Sequence, residues 1–504
     1  MSLISQIELD ECQEKAATAP GSALVIAGPG AGKTRVLLAR ALYLLSQGVP
    51  EEKIFLITFT LKTAHELKER LKAKGLSHIK VDTFHGLAYE LCRQKGISPK
   101  LASDQELKEI FKALSRKFNL PLKTIEKRLN EDPEIKKTYR QMLAAQGLWD
   151  FSLLLEEGAK HELGEEKVHL LVDEFQDLNQ ELVSFLLSFR KAEVFLVGDP
   201  AQAIYGFRGA RPQVVKDYLV KISPEVYFLE KSYRVPEKIL TLAEELRETE
   251  GFPQKKLKAA RSGGEVLGLS FANPAAEAKA IAREVVELLG GIQLEQSKRG
   301  YAPSEIAILV RVRALIKPLK EALAKEGIPF EVPQETSSEE LEELEKLISL
   351  ASKEKSLLAL RQKFLPKNEL LLEILRQSRD VPELSFKLGL LKTQLSISLK
   401  RTGVPLLTVH EAKGLEFEVV ILAGAEEGLL PFTLLEEVDF AEERRITYVA
   451  MTRAKEAFYF TWARAGRFVY GKRLPGKVSP FLARFPVKDK SSPKPKKARQ
   501  QRLF

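Results

Sequence analysis

Short apolar runs recur along the chain, and most are followed by stretches whose apolar residues return at helical spacing. Leu24-Val-Ile26, Ile54-Phe-Leu-Ile-Thr-Phe-Thr60, Val168-His-Leu-Leu-Val172 and Glu193-Val-Phe-Leu-Val197 carry almost no polar side chains. Such runs suit strands covered on both faces, as in a parallel sheet flanked by helices. Residues 78–83 add a strand ending in Thr83-Phe84-His85. From Val226-Tyr-Phe-Leu229 a second α/β unit opens, with strands expected at 265–271, 305–311, 328–332, 406–409, 419–423 and 457–461. Helices are expected at 7–17, from Lys33, at about 62–74, and over 442–455, where the helix would carry Arg453.

Two stretches break the alternation. Residues 88–166 are helical and rich in Lys and Glu, with Trp149-Asp-Phe151 as the expected local core. Residues 334–400 turn helical and polar. The expected fold class is therefore α/β: two lobes built on parallel sheets, each interrupted by a helical insertion. The boundaries are 1–88 and 167–228 for the first lobe, around an insertion at 89–166. The second lobe takes 229–333 and 401–485, around a shorter insertion at 334–400. From Pro486 the chain is Lys/Pro/Ser-rich and expected to be disordered.

Composition narrows the class. A 504-residue chain has room for several cores, and 44% hydrophobic with 29% charged residues is a soluble, globular balance. No run of about 18 uncharged apolar residues occurs, and the first ten residues lack a signal-peptide layout. Cys12 and Cys92 stand far apart, which excludes a C-x-x-C redox site and a four-cysteine cluster and fits a reducing cytosol. The net charge of +10 is concentrated at the end: residues 486–504 carry +6, leaving +4 for the other 485. A nucleic-acid surface on the body must then be a local groove.

The chemistry starts at Leu24-Val-Ile-Ala-Gly-Pro-Gly-Ala-Gly-Lys-Thr-Arg35. A strand, a glycine-rich turn and a helix opening at Lys33-Thr34 make a phosphate-binding loop. Lys33 would reach the β/γ-phosphates, and the Thr34 hydroxyl would hold Mg²⁺. Ala27 occupies the position usually taken by the first glycine, which requires it to keep a negative φ. The run 168–172 delivers Asp173 and Glu174 to a strand tip, one suited to Mg²⁺ and its water ligands, the other to polarising attacking water. After the run 193–197, Gln202 could sense a γ-phosphate, while Tyr205, Phe207 and Arg208 could face nucleic acid. Phe59 and His85 also fall at strand ends, where stacking and phosphate contact are natural. Gln13 could read an adenine edge or lie on the surface as an ordinary glutamine.

Taken together and in order, these pieces resemble the superfamily 1A DNA helicases of the UvrD/Rep/PcrA type. The resemblance rests on Ala27-Gly-Pro-Gly-Ala-Gly-Lys-Thr34, Thr58-Phe-Thr60, Thr83-Phe-His85, Val172-Asp-Glu-Phe-Gln-Asp177 and the segment 197–210. It continues through Ser232-Tyr-Arg234, Val409-His-Glu-Ala-Lys-Gly-Leu-Glu-Phe417 and Tyr448-Val-Ala-Met-Thr-Arg-Ala-Lys455. It implies two RecA-like lobes closing on ATP and Mg²⁺. It implies that Gln13 and Tyr233 hold adenine, that Gly28, Gly30, Gly32, Lys33, Thr34 and Arg35 line the nucleotide, and that Glu416 lies near the ribose. Thr34 and Asp173 would serve the metal, Glu174 would activate water, and Gln202 would contact the γ-phosphate. Arg234 and Arg453 would reach in from the second lobe as arginine fingers. Phe59, His85, Tyr205, Phe207, Arg208 and His410 would line a single-strand track.

The implied activity is ATP-dependent 3′→5′ movement on single-stranded DNA, or unwinding of 3′-tailed duplex, in repair, replication or recombination in a bacterial cytosol or nucleoid. A protein-displacing translocase without processive unwinding and a non-enzymatic clamp-associated adaptor are the alternatives. The insertion at 334–400 is shorter than the family's usual one. The C-terminal Gln500-x-x-Leu503-Phe504 resembles the peptide by which bacterial repair proteins bind the sliding clamp, a glutamine and two apolar anchors suited to a small pocket.

Overall fold

The computed structural model describes residues 6–76, 78–129, 131–161, 167–290, 300–333, 338–394, 402–434 and 438–489. The first sheet has six parallel strands: β1 (Ala23–Ala27), β2 (Ile54–Thr58), β3 (Lys80–Thr83), β4 (His169–Val172), β5 (Glu193–Gly198) and β6 (Glu225–Leu229). Their order is β3-β2-β4-β5-β1-β6. Side chains alternate along each strand. Leu24, Ile26, Phe55, Ile57, Leu170, Val172 and Leu196 enter one core, while Val25, Ala27, Leu56, Leu171, Phe195 and Val197 enter the other. Both faces are buried, which is why these runs are apolar throughout.

The edge strand β6 corrects the sequence reading. Residues 226–229 do not open the second unit; they pair with β1, Val25 opposite Tyr227. Strand pairing is long-range, and an apolar run does not say which sheet it joins.

The second sheet has seven parallel strands, in the order Phe330–Glu331, Val404–Thr408, Ile306–Val310, Phe417–Ala423, Ala454–Ala463, Glu265–Phe271 and Val487–Asp489. The last strand is a second correction. The stretch expected to be disordered from Pro486 first adds an edge strand, with Gly268 donating to the Pro486 carbonyl at 2.7 Å. Residues 490–504, and with them the clamp-like peptide Gln500, Leu503 and Phe504, lie outside the described residues.

Within the first insertion, helices Asp104–Phe118, Leu122–Arg128 and Pro133–Ala145 close around Ile110, Leu114, Ile125, Ile135, Tyr139 and Leu143. Trp149 and Phe151 are not that local core: both pack on the core of the first sheet. The second insertion, over its described part, is four helices, Ser338–Lys353, Leu357–Lys363, Glu369–Gln377 and Val381–Gln394. They share a core of their own that includes Leu344, Leu347, Leu371, Ile374 and Leu388.

This second bundle branches from the second sheet but docks on the core of the first, mainly on helix Phe84–Gln94, which packs with that sheet although it runs past the boundary expected at 88. Phe386 stacks on Tyr89 with centroids 4.1 Å apart and planes at 12°. Arg379 grips Glu90 with both Nη atoms, at 3.2 and 2.6 Å. Arg93 pairs with Asp380, and His65 lies against Glu373.

Candidate active site

The strand order brings three loops together. β4, β5 and β1 are neighbours, so the segments leaving their C-terminal ends share one crevice. Ala27 is buried and absent from the positive-φ residues, so alanine is sterically at ease where glycine is usual. Gly30 and Gly32 are left-handed, with φ of 69° and 84°, and helix Lys33–Ser46 starts directly after them. Four of that helix's first amides have no intrahelical partner, which suits an anion at the turn.

The segment after β6 folds over the loop. Ser232 Oγ donates to the Pro29 carbonyl at 2.6 Å, and the Tyr233 amide donates to the Gly30 carbonyl at 3.0 Å. A Cβ on Gly30 would stand 2.4 Å from Arg234 Cβ, so the bare glycine admits the arginine. Arg234 Nη1 reaches Glu416 at 3.2 Å and Nη2 reaches the Thr452 carbonyl at 3.2 Å. Its Nε is buried without a hydrogen-bond partner among the described residues. Glu416 also holds Lys455 at 2.9 Å.

Arg453 is 1% exposed. It does not sit on the expected helix, which ends at Met451; it occupies the turn into strand Ala454–Ala463. There its Nη2 donates to Gln202 Oε1 at 3.1 Å, while Nη1 and Nε hold the carbonyls of Leu415 and Val449. Burial, with Arg234 nearby, pulls its guanidinium down to about 9, so it stays charged at neutral pH.

Glu174 takes the left-handed conformation, φ 51° and ψ 47°, an unusual state for a non-glycine residue that marks strain at this strand tip. Lys33 Nζ lies 3.6 Å from its Oε1. Burial works against ionisation of Glu174, but Lys33, Lys413, the Gln176 hydrogen bond and Arg453 outweigh it and hold the group at about 2. Burial, then the Glu174 charge, pushes the adjacent Asp173 up to about 7. A buried carboxylate at Asp173 beside a half-buried one at Glu174 offers oxygen donors of the kind that suits Mg²⁺.

The proposed base readers and stackers fall into separate places. Gln13 is buried, and its amide is engaged at both ends, by the Asp10 amide at 3.1 Å and the Ala31 carbonyl at 3.0 Å. Tyr233 is half-exposed, its hydroxyl on Asp10 at 2.6 Å. Arg35 is exposed and reaches the Glu8 carbonyl at 3.4 Å. Tyr205, Phe207, Arg208 and His410 form one cluster: Arg208 stands over both rings, and Phe207 meets His410 edge-on at 5.5 Å. Phe59 and His85 belong to a different cluster, against Phe84 and Phe151 respectively. Burial lowers both histidines to about 4, so both are neutral; Arg311, Lys413 and Arg208 add to the effect at His410.

Lys413 has no role that the local sequence pattern marks. Its Nζ binds both oxygens of Asp177, at 2.7 and 2.6 Å, and lies 4.4 Å from the Tyr205 ring centroid. This buried pair joins the two sheets between the nucleotide crevice and the aromatic cluster. Both residues stood inside quoted motifs, but only the fold shows that they meet. A hairpin, Phe468–Val469 with Lys472–Arg473, is likewise unmarked; it exposes Phe468 and Tyr470.

Comparison with known proteins settles the family. Residues 9–141 and 94–219 match the UvrD/REP helicase N-terminal domain, and residues 227–337 and 332–465 match the UvrD-like helicase C-terminal domain. The chain belongs to the UvrD-like helicase family. It is an ATP-driven DNA helicase by that membership. It is 27% identical to DNA helicase II of Escherichia coli K12, over 95% of this chain and 87% of that protein. It is 26% identical to the ATP-dependent DNA helicase PcrA of Staphylococcus epidermidis, over 94% of this chain and 86% of that protein. These alignments run over 639 and 641 positions, more than the 504 residues of the helicase described here, so both relatives carry inserted stretches that it lacks. No helix among its described residues is long and apolar enough to cross a membrane.

Proposed function

We propose that this helicase moves 3′→5′ along single-stranded DNA by closing two lobes on ATP, and that it acts in repair, replication or recombination in the bacterial cytosol or nucleoid. The observation that carries the reading is Arg453, held by the second sheet and hydrogen-bonded to Gln202 of the first. With Arg234 packed on Gly30, it supports a crevice gripped from both lobes. In this reading residues 1–88 with 167–228, and 229–333 with 401–485, are the two lobes.

Gly28, Gly30, Gly32, Lys33 and Thr34 cradle the phosphates, while Gln13, Arg35, Tyr233 and Glu416 surround the nucleoside. Glu174 orients and deprotonates the attacking water, Gln202 contacts the γ-phosphate, and Arg234 and Arg453 neutralise charge developing on it. Thr34 and Asp173 would hold Mg²⁺, which would supply positive charge that lowers the repulsion between the phosphates and the attacking nucleophile. Hydrolysis releases the contacts that hold the lobes together. Bases stacked on Tyr205, Phe207 and His410, and on Phe59 and His85, are gripped and released in turn, each stack contributing ~1–3 kcal/mol.

ATP turnover measured with and without single-stranded DNA tests this. Strong stimulation, abolished in Lys33→Ala, is expected; equal turnover in both conditions would overturn the motor reading. Such stimulation would also exclude the non-enzymatic adaptor. A protein-displacing motor with little duplex unwinding is favoured by two observations, the inserted stretches missing relative to the relatives and the docking of the second insertion on the core of the first sheet. Strand displacement on 3′-tailed duplex, beside removal of protein from coated single strands, separates the two activities. For the tail, deletion of residues 500–504 should abolish affinity for a bacterial sliding clamp; unchanged affinity removes that partner.

A further inference from the structure

Gln176 is a buried side chain that the proposed mechanism leaves unused. It is 2% exposed and lies two residues past Glu174. Its Nε2 donates to Glu174 Oε2 at 2.6 Å, and its Oε1 accepts from the Asp199 amide at 3.0 Å. Asp199, fully buried, accepts from Gln202 Nε2 at 2.8 Å, and Gln202 accepts from Arg453. One hydrogen-bonded path therefore runs from Glu174 through Gln176, Asp199 and Gln202 to an arginine of the other lobe. The backbone is shaped around it. A Cβ on Gly198 would stand 2.2 Å from Gln176 Oε1, so the last residue of β5 must be glycine for the amide to cross between strand tips.

We propose that Gln176 is a positioning residue that holds Glu174 toward the attacking water and ties its orientation to the seating of Arg453 on Gln202. This rests on the reading of Glu174 as the group that activates water. The chemistry requires an amide. Only a group with both a donor and an acceptor can bind a carboxylate on one side and a backbone N–H on the other. Glu174 needs such a hold because its left-handed backbone is strained and its other oxygen lies 3.6 Å from Lys33 Nζ, beyond hydrogen-bond distance. When Arg453 draws on Gln202, the pull reaches Glu174 through fixed hydrogen bonds. Water activation thus becomes available as the lobes close.

The test is steady-state ATPase of the full chain with saturating single-stranded DNA, for Gln176→Glu, Gln176→Ala, Glu174→Gln and the parent, with thermal unfolding of each. Gln176→Glu keeps the shape and the acceptor for Asp199 but loses the donor to Glu174. Both Gln176 variants should lose kcat by about 10–100-fold, the scale of a misplaced reacting group, with KM for ATP within about threefold of the parent. The ratio of DNA-stimulated to basal turnover should fall with kcat. If Gln176→Glu keeps kcat within about twofold while Gln176→Ala loses activity together with thermal stability, the residue only packs and the proposal falls. If Glu174→Gln itself retains turnover, the assignment of Glu174 fails instead.

Discussion

Arg453→Met offers the sharpest check on the two-sided crevice. Methionine approximates the length of the arginine stem but offers no donor and no charge. In the folded chain the substitution strips a partner from Gln202 Oε1 and from the carbonyls of Leu415 and Val449, all reached at 3.1 to 3.2 Å. A buried acceptor left unpaired costs about 1–3 kcal/mol, and relief from burying a guanidinium offsets part of the sum. A net destabilisation of about 1–3 kcal/mol is expected, small enough to leave the chain folded. The catalytic effect should be larger. An arginine acting on developing phosphoryl charge contributes about 10³–10⁵ in rate. Arg453 offers one Nη toward the crevice while the other groups hold carbonyls, so the lower end applies, about 4 kcal/mol. The assay is DNA-stimulated ATPase with nucleotide affinity measured alongside. A thousandfold fall in kcat with less than about tenfold change in affinity is expected. Lysine at this position keeps charge but not the fork, and should not restore the rate. A folded Arg453→Met variant turning over within tenfold of the parent would refute the finger assignment.

Three further outcomes follow from the geometry. Phe386→Ala removes a 3% exposed ring stacked on Tyr89, about 3–5 kcal/mol of local packing, so proteolytic cleavage within 338–394 should accelerate; unchanged cleavage would mean that docking does not hold this bundle. Phe207 is 68% exposed, so Phe207→Ala should leave the unfolding midpoint unaltered but weaken single-strand binding by about 1–3 kcal/mol, and equal affinity would remove it from the track. His85 is held near 4 by burial, below its unfolded value of about 6.5, so the unfolded chain binds the extra proton between these limits and stability falls as pH drops through that window. Denaturant titrations should show a smaller acid loss for His85→Gln than for the parent, and identical losses would contradict the lowered value of this ring.

Local pattern was enough for much of this molecule. Near-continuous apolar runs are what strands covered on both faces require, and they located most strands of both sheets to within a few residues. The glycine turn before Lys33 and the acidic pair at 173–174 were placed at the helix start and the strand tip that their local pattern expects, because glycine and carboxylate positions there follow from neighbours at fixed offsets. Several features had no such local cause. Residues 225–229 and 487–489 joined their sheets through partners far away in sequence, and an exposed edge strand such as the second has only a weak apolar signature. Trp149 and Phe151 found a larger core than their own insertion offered. The bundle at 338–394 settled against the core of the first sheet through Phe386, Arg379 and Asp380, side chains that look like ordinary helix residues in the sequence. Sequence alone therefore determined most element types, the glycine turn before Lys33 and the family, because these depend on neighbours within a few positions. Tertiary structure alone decided that Arg453 meets Gln202, that Lys413 meets Asp177 and that Gln176 bridges two strand tips. Those contacts depend on how separate elements pack, and nothing in the local pattern encodes it.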